Sequence, residues 1–140
     1  MSTLYLSLGT NLGDRRQNLK SALELIGSKV GTVVSTSDII ETDPWGFESP
    51  NPFLNTVVKV ETDLKPLEVL DVTQEIERQL GRATKSVNGE YHDRLIDIDI
   101  LLYDDLVMDT PELTIPHPLM YERKFVMEPL AQIAPELVKS

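Results

Sequence analysis

The 140-residue sequence contains no cysteine. Disulfides, thiolate metal sites and cysteine nucleophiles are therefore excluded, and the composition suits a reducing compartment. No apolar run approaches the roughly 20 residues that a membrane-spanning helix needs. A strand-like segment starts at the N-terminus, so no secretory signal is expected. Positive charge is scarce: 13 Lys and Arg against 23 Asp and Glu leave a net charge of −10. A surface this acidic argues against nucleic acid and anionic membranes as partners. Internal repeats, low-complexity stretches and linkers are also missing. The length then implies one domain over residues 1–140, built around one core.

Against that background the segment from Arg94 to Leu102 stands out. It is an apolar strand pattern carrying two carboxylates, Asp97 and Asp99. Side chains alternate along a strand, so the two acids share a face, about 7 Å apart at Cα. Ile96, Ile98, Ile100 and Leu102 are expected on the other face, filling a core. Two close like charges repel and resist burial. A divalent cation would compensate them, and oxygen ligands on a rigid strand suit Mg²⁺, which takes one or two carboxylates and leaves room for phosphates. Asp on the wet face of an amphipathic strand accounts for the pattern equally well without a metal. Arg78, Arg82, Lys85, Arg94, Arg123 and Lys124 cluster in the C-terminal half with His117. Such a local cationic group fits a small polyanion, or it is solvated surface. No P-loop motif is present, so any phosphate binding must come from side chains and metal.

The rest of the chain reads as alternating strands and helices. Leu4, Leu6 and Leu8 mark a strand over 3–8. Asn11 is the expected N-cap of a helix over about 12–28, with Leu19, Ala22, Leu23 and Ile26 as its apolar stripe. A second strand is expected through about 31–41, followed by a proline-rich loop over 43–52. In a third strand Leu54, Thr56, Val58 and Val60 face one way and Asn55, Val57 and Lys59 the other. Pro66 opens a second helix bearing Val69, Val72, Ile76 and Leu80, with Gly81 as its C′ residue. A polar loop over 82–93 precedes the Asp strand. A short hairpin around 106–115, a turn at Pro116-His117-Pro118 and a short helix near 129–133 complete the pattern. The core order βαββαβ predicts an α+β, ferredoxin-like sandwich: an antiparallel sheet with both helices on one face, leaving the other face for a ligand under two long loops.

Several segments together resemble one family, the 6-hydroxymethyl-7,8-dihydropterin pyrophosphokinases of folate biosynthesis. Gly9-Thr10-Asn11-Leu12-Gly13, Thr42-Asp43-Pro44-Trp45-Gly46 with Phe53-Leu54-Asn55, Gln74-Glu75-Ile76-Glu77 with Gly81-Arg82, Arg94 through Leu101, and Leu113 through Pro118 with Arg123-Lys124-Phe125 occur in the family's order. The resemblance implies transfer of the β,γ-pyrophosphoryl group of ATP to the pterin hydroxymethyl oxygen, with release of AMP. It implies that Asp97 and Asp99 hold two Mg²⁺ ions. Arg82, Arg94, His117 and Arg123 would neutralise phosphate charge, and Gln74 and Glu77 would line the nucleotide site. Ile100 would meet adenine through its backbone. Phe53 and Phe125 would stack on the pterin, with Asn55, Thr42 and Trp45 completing its hydrogen bonds. A monomer is expected, and the missing signal, the missing cysteines and the family together point to the cytoplasm. The chain departs from the family pattern at Glu90-Tyr91-His92-Asp93, at Thr84 and Lys85, and at Glu112, so contacts from the 82–93 loop are the least determined. The alternative readings are a non-catalytic ferredoxin-like ligand-binding module and a paralogue with the same site and another acceptor.

Overall fold

The computed structural model describes residues 1–42, 52–80 and 96–137. Gly81, the 82–93 loop and most of the proline-rich loop lie outside the described residues, as do Trp45, Arg82 and Arg94.

The elements are β1 (Ser2–Thr10), α1 (Arg15–Lys29), β2 (Gly31–Thr36), β3 (Ile40–Thr42), β4 (Phe53–Thr62), α2 (Pro66–Leu80), β5 (Asp97–Tyr103), β6 (Met108–Asp109), β7 (Thr114–Ile115) and α3 (Lys124–Ile133). The main sheet is antiparallel in the order β2-β4-β1-β5, and β3 also pairs with β4. This is the expected ferredoxin-like order, with β1 and β4 central and β5 along one edge. Leu4, Leu6 and Leu8 of β1 meet Val58 and Val60 of β4 and Ile98 and Ile100 of β5 in the principal core. Leu19, Ala22 and Ile26 of α1 and Val69 and Ile76 of α2 close that core from the helix side. Burial of these aliphatic side chains, at roughly 25 cal/mol per Å² of apolar surface, is what holds the helices to the sheet.

Local chemistry sets the helix starts. Gly13 adopts φ 68°, a left-handed turn suited to glycine. Asp14 then caps α1, its side chain accepting from the Gln17 amide at 3.1 Å. Asn11 is not the cap: it is buried at the end of β1, three residues too early. Pro66 does open α2, and Glu68 reaches back to the Lys65 amide at 2.8 Å, one half of a capping box.

Three further expectations are revised. The second strand is broken into β2 and β3, with Ser37 between them. The Ser37 hydroxyl accepts from the Val57 amide at 2.9 Å, standing in for a backbone group between the β2 and β3 pairings with β4. The β1–β5 register slips at Leu101, so Leu101 and Leu102 both pack on the second face, and Tyr103, not Leu102, joins the principal core. The extra residue in a bulge turns the chain over. The last helix begins at Lys124, not near Pro129, and Pro129 lies inside it. Pro129 cannot donate to the Phe125 carbonyl, but Val126, Leu130 and Ala134 bury a full apolar stripe that keeps the helix in place.

That stripe matters for the site. It packs with Tyr5, Val57 and Leu101 as a second core on the face opposite α1 and α2. The second face is therefore half covered by α3, and its other half carries the polar residues. The hairpin appears as β6 and β7, followed by a cis Ile115–Pro116 bond.

Candidate active site

Along β1 the side chains on the second face shrink from Tyr5 to Ser7 to Gly9. The register places Ser7 opposite Val57 and Asp99, and Gly9 opposite Asn55 and Asp97. One row thus runs Asn55–Gly9–Asp97 across three strands. Its ends lie two strand spacings apart, about 10 Å. Gly9 forms the bare floor between them: a Cβ there would stand 3.0 Å from Asn55 Oδ1 and 3.5 Å from Phe53 Cδ1.

One half of the row holds Asn55, Thr42 and Phe53. Asn55 is buried, and its Nδ2 donates to Thr42 Oγ1 at 2.7 Å. Thr42 is paired with Phe53 in the β3–β4 ladder. Three of the five residues expected to hold a pterin are therefore brought together. Trp45 lies outside the described residues. Phe125 comes from the first turn of α3, and the Arg123 guanidinium carbon lies 5.5 Å from the centre of its ring.

The other half holds the acids. Asp97 and Asp99 are half-buried on the same face, as expected. Arg123 Nη1 lies 3.6 Å from Asp99 Oδ2, with the arginine itself buried. Arg123 thus links the carboxylate pair to the Phe125 ring. Glu77 crosses the outer edge of β5 from α2, and its Oε2 accepts from the Ile98 amide at 2.8 Å. Burial raises the Glu77 pKa from 4.5 to about 8, and the Asp97 charge adds to the rise. With no cation beside Asp97, this rise favours the protonated form of Glu77 near neutral pH, and the Asp97 side chain is within reach to accept its proton in a hydrogen bond. Gln74, one turn earlier on α2, is exposed.

Ile100 buries its side chain in the principal core. Two residues beyond Ile98, it turns its backbone groups to the same outer edge of β5. His117 is joined to this strand through the bulge: its amide donates to the Leu101 carbonyl at 3.0 Å. Burial and the neighbouring Arg123 lower its pKa below 6.5, so it is neutral at pH 7. Its Nδ1 accepts from the Leu119 amide at 3.2 Å, which leaves the proton on Nε2. His117 thus presents a hydrogen-bond donor from Nε2.

The donor set bears on a metal. Among the described residues no group of three or more His, Asp or Glu forms a ready metal cage. Two adjacent carboxylates beside a third that is forced to keep its proton are nonetheless a surplus of negative charge. That arrangement fits a Mg²⁺ ion completing its shell with water and phosphate oxygens.

Gly9 was not foreseen as part of the site, although its place at the end of the Tyr5-Ser7-Gly9 taper is visible in the sequence. Arg15 is a second such residue. Its Nη1 contacts Glu41 Oε2 at 3.1 Å and the Pro52 carbonyl at 2.9 Å. A cavity of about 260 Å³ is lined by Asn11, Leu12, Gly13, Arg15 and Pro52, the residue before Phe53.

Comparison with known proteins bears on the family and the fold. A family model described as 7,8-dihydro-6-hydroxymethylpterin-pyrophosphokinase (HPPK) matches residues 5–135. A 2-amino-4-hydroxy-6-hydroxymethyldihydropteridine pyrophosphokinase of Porphyromonas gingivalis is 54% identical over 138 residues, covering 98% of this chain and 94% of the relative. The enzyme of the same name from Bacillus subtilis is 44% identical over 136 residues, covering 96% of this chain and 80% of the relative. A crystal structure of HPPK-DHPS in complex with substrates superposes with a TM-score of 0.76 at 18% identity, over 96% of this chain and 40% of that one. Plasmodium falciparum wild-type HPPK-DHPS gives 0.73 at 19% identity, again over 40% of the larger chain. These two likenesses concern the fold, and this chain spans two fifths of those longer proteins.

Proposed function

The chain belongs to the 7,8-dihydro-6-hydroxymethylpterin-pyrophosphokinase family, and from that premise we propose how its residues divide the work of an ATP-dependent diphosphokinase. The reaction transfers pyrophosphate from ATP to 6-hydroxymethyl-7,8-dihydropterin in folate biosynthesis. The pterin hydroxyl oxygen forms a bond to the β-phosphorus, the bond from that phosphorus to the α,β-bridging oxygen breaks, and AMP leaves with that oxygen. The hydroxyl proton is released.

The observation that carries the assignment is the Asn55–Gly9–Asp97 row. It sets a buried amide and a carboxylate pair on one face, with a glycine between them. In our reading Asn55, its amide oriented by Thr42, recognises the pterin edge. Phe53 and Phe125 supply faces for the flat ring, and Trp45 completes the pocket. Asp97 and Asp99 would hold two Mg²⁺ ions, which supply charge neutralisation on the phosphates and a lowered pKa at the attacking hydroxyl. Arg82 and Arg94 would take phosphate oxygens as bidentate donors. Arg123 steadies Asp99 and contributes positive charge beside it. His117 donates from Nε2, Ile100 offers backbone groups to adenine, and Gln74 and Glu77 flank the nucleotide. Such an arrangement works chiefly by positioning two substrates and stabilising charge in a dry site.

The same reading takes the working form as a single-domain monomer in the cytoplasm. Support comes from both halves of the site lying on one chain, and from the lack of cysteine. Among the described residues no helix is long and apolar enough to cross a membrane. Measurement of AMP formed from ATP and Mg²⁺, with and without the pterin, tests the assignment. AMP that depends on pterin, without ADP, is expected; ADP would mean transfer of the γ-phosphoryl group and a misassigned site.

A further inference from the structure

We propose that Arg15 is a positioning residue for the pterin half of the site. The proposal rests on the assignment above of Thr42, Phe53 and Asn55 to the pterin.

Arg15 opens α1, next to the residue that caps it. The turn leading to it is fixed: Gly13 is left-handed, and Asn18 Nδ2 donates to the Leu12 carbonyl at 2.8 Å and to Thr10 Oγ1 at 3.2 Å. From this anchored base one nitrogen of Arg15 makes both contacts, to Glu41 at 3.1 Å and to the Pro52 carbonyl at 2.9 Å. Glu41 immediately precedes Thr42 and Pro52 immediately precedes Phe53. Arg15 therefore grips the stems of both site residues at once.

Among the described residues β3 (Ile40–Thr42) pairs with β4, and Thr42 faces Phe53 in that ladder. If the pair opens, Thr42 Oγ1 moves away from Asn55, and the buried amide loses the partner that fixes its orientation. The ion pair with Glu41 is partly exposed and contributes little stability by itself. Its consequence lies in geometry, because a displacement of about 1 Å in a binding group is enough to weaken recognition markedly.

The test uses the purified full chain and initial rates of AMP formation, varying pterin at saturating ATP·Mg²⁺ and the reverse. Arg15→Met should raise the pterin KM about five- to tenfold and leave the ATP KM within about twofold, the size expected for one charged hydrogen bond lost at a distance. Arg15→Lys should recover most of the loss, because one ammonium can donate to both partners. Equal changes in both KM values, or none in either, would overturn the proposal. Asn55→Ala, run alongside, separates the two levels: an unchanged pterin KM there would defeat the pterin-half assignment itself. If Arg15→Met unfolds, Glu41→Ala removes one arm of the grip. A rise of about two- to threefold in the pterin KM alone is then expected, and no rise would overturn the proposal.

Discussion

Glu77 Oε2 accepts the Ile98 amide proton at 2.8 Å, tying α2 to the outer edge of β5 between the two site aspartates. The contact brings a third carboxyl group against Asp97. Three acids in so small a volume cannot all ionise cheaply, and the buried one retains its proton. The carboxylate pair is thus held in place by a neutral neighbour rather than by a counter-charge on that side. Arg123 supplies the counter-charge on the other.

This arrangement makes stability depend on pH in a defined direction. Glu77 holds its proton in the folded state up to about pH 8, against an ordinary value of 4.5. Between those values the folded state binds one proton more than the unfolded chain, so its stability falls as pH rises. Glu77→Gln keeps an acceptor for the Ile98 amide and has no proton to lose. In metal-free buffer its Tm should match the wild type near pH 4.5 and exceed it by several degrees, roughly 5 °C, near pH 8. A constant Tm difference across that range would refute the protonated state. His117 acts in the opposite sense: its lowered pKa removes stability as pH falls below 6.5, but it does so in both proteins and cancels in the difference between them.

Loss of either site acid should separate activity from folding. Asp97→Ala or Asp99→Ala should lower turnover by at least about 100-fold, since metal-assisted charge stabilisation supplies several kcal/mol. Neither should unfold the protein, because both side chains lie outside the cores. Turnover within about tenfold of wild type would remove them from the metal site. Asp97→Asn has a second signature. It removes the charge that helps raise the Glu77 pKa, so Glu77, followed by carboxyl NMR, should titrate lower than in the wild type.

Phe125 and Phe53 come from different layers, and Phe125→Ala addresses α3 alone. Its ring packs on the second core and beside Arg123. Truncation should weaken pterin binding by about tenfold or more, in line with an aromatic stacking contribution of 0.5–1.5 kcal/mol plus lost contact area. ATP binding, followed by calorimetry, should change by less than about threefold. Equal losses for the two ligands would mean that Phe125 serves the fold, not the pterin.

Much of this site is legible in the sequence because its parts are local patterns. The alternation through Ile96-Asp97-Ile98-Asp99-Ile100 fixes which side chains share a face, whatever surrounds the strand. The βαββαβ order follows in the same way from the periods of its segments. The failures are all tertiary. Nothing local distinguishes Asn11 from Asp14 as the cap until the chain's exit from β1 is known. The slip at Leu101 is set by pairing with Tyr5 and Leu6, so the position of Leu102 could not be read from alternation alone. Pro129 suggests a helix start by propensity, but the buried stripe from Val126 to Ala134 decides where α3 lies. The meeting of Glu77 with Asp97, and of Arg15 with Glu41 and Pro52, depends on how α1 and α2 dock against the sheet. Arg82, Arg94 and Trp45 lie outside the described residues, and the roles of all the site residues rest on resemblance.

Gly9 provides the sharpest separation of the two halves of the site. Its amide and carbonyl belong to the β1 ladder, opposite Asn55 on one side and Asp97 on the other. A methyl group at this position would meet Asn55 Oδ1 at 3.0 Å, closer than ordinary van der Waals contact, and the Phe53 ring at 3.5 Å. The backbone can tolerate Ala in an extended strand, so Gly9→Ala should still fold, with a Tm lowered by several degrees. The pressure falls on the Asn55 amide and on the floor between the pterin and the metal pair. The pterin KM should rise about tenfold or more, because a buried polar group forced off its partner costs about 1–3 kcal/mol. The ATP KM should stay within about twofold. A loss of turnover with both KM values unchanged would instead place Gly9 beside the reacting atoms, where a methyl group obstructs the transferred phosphoryl group.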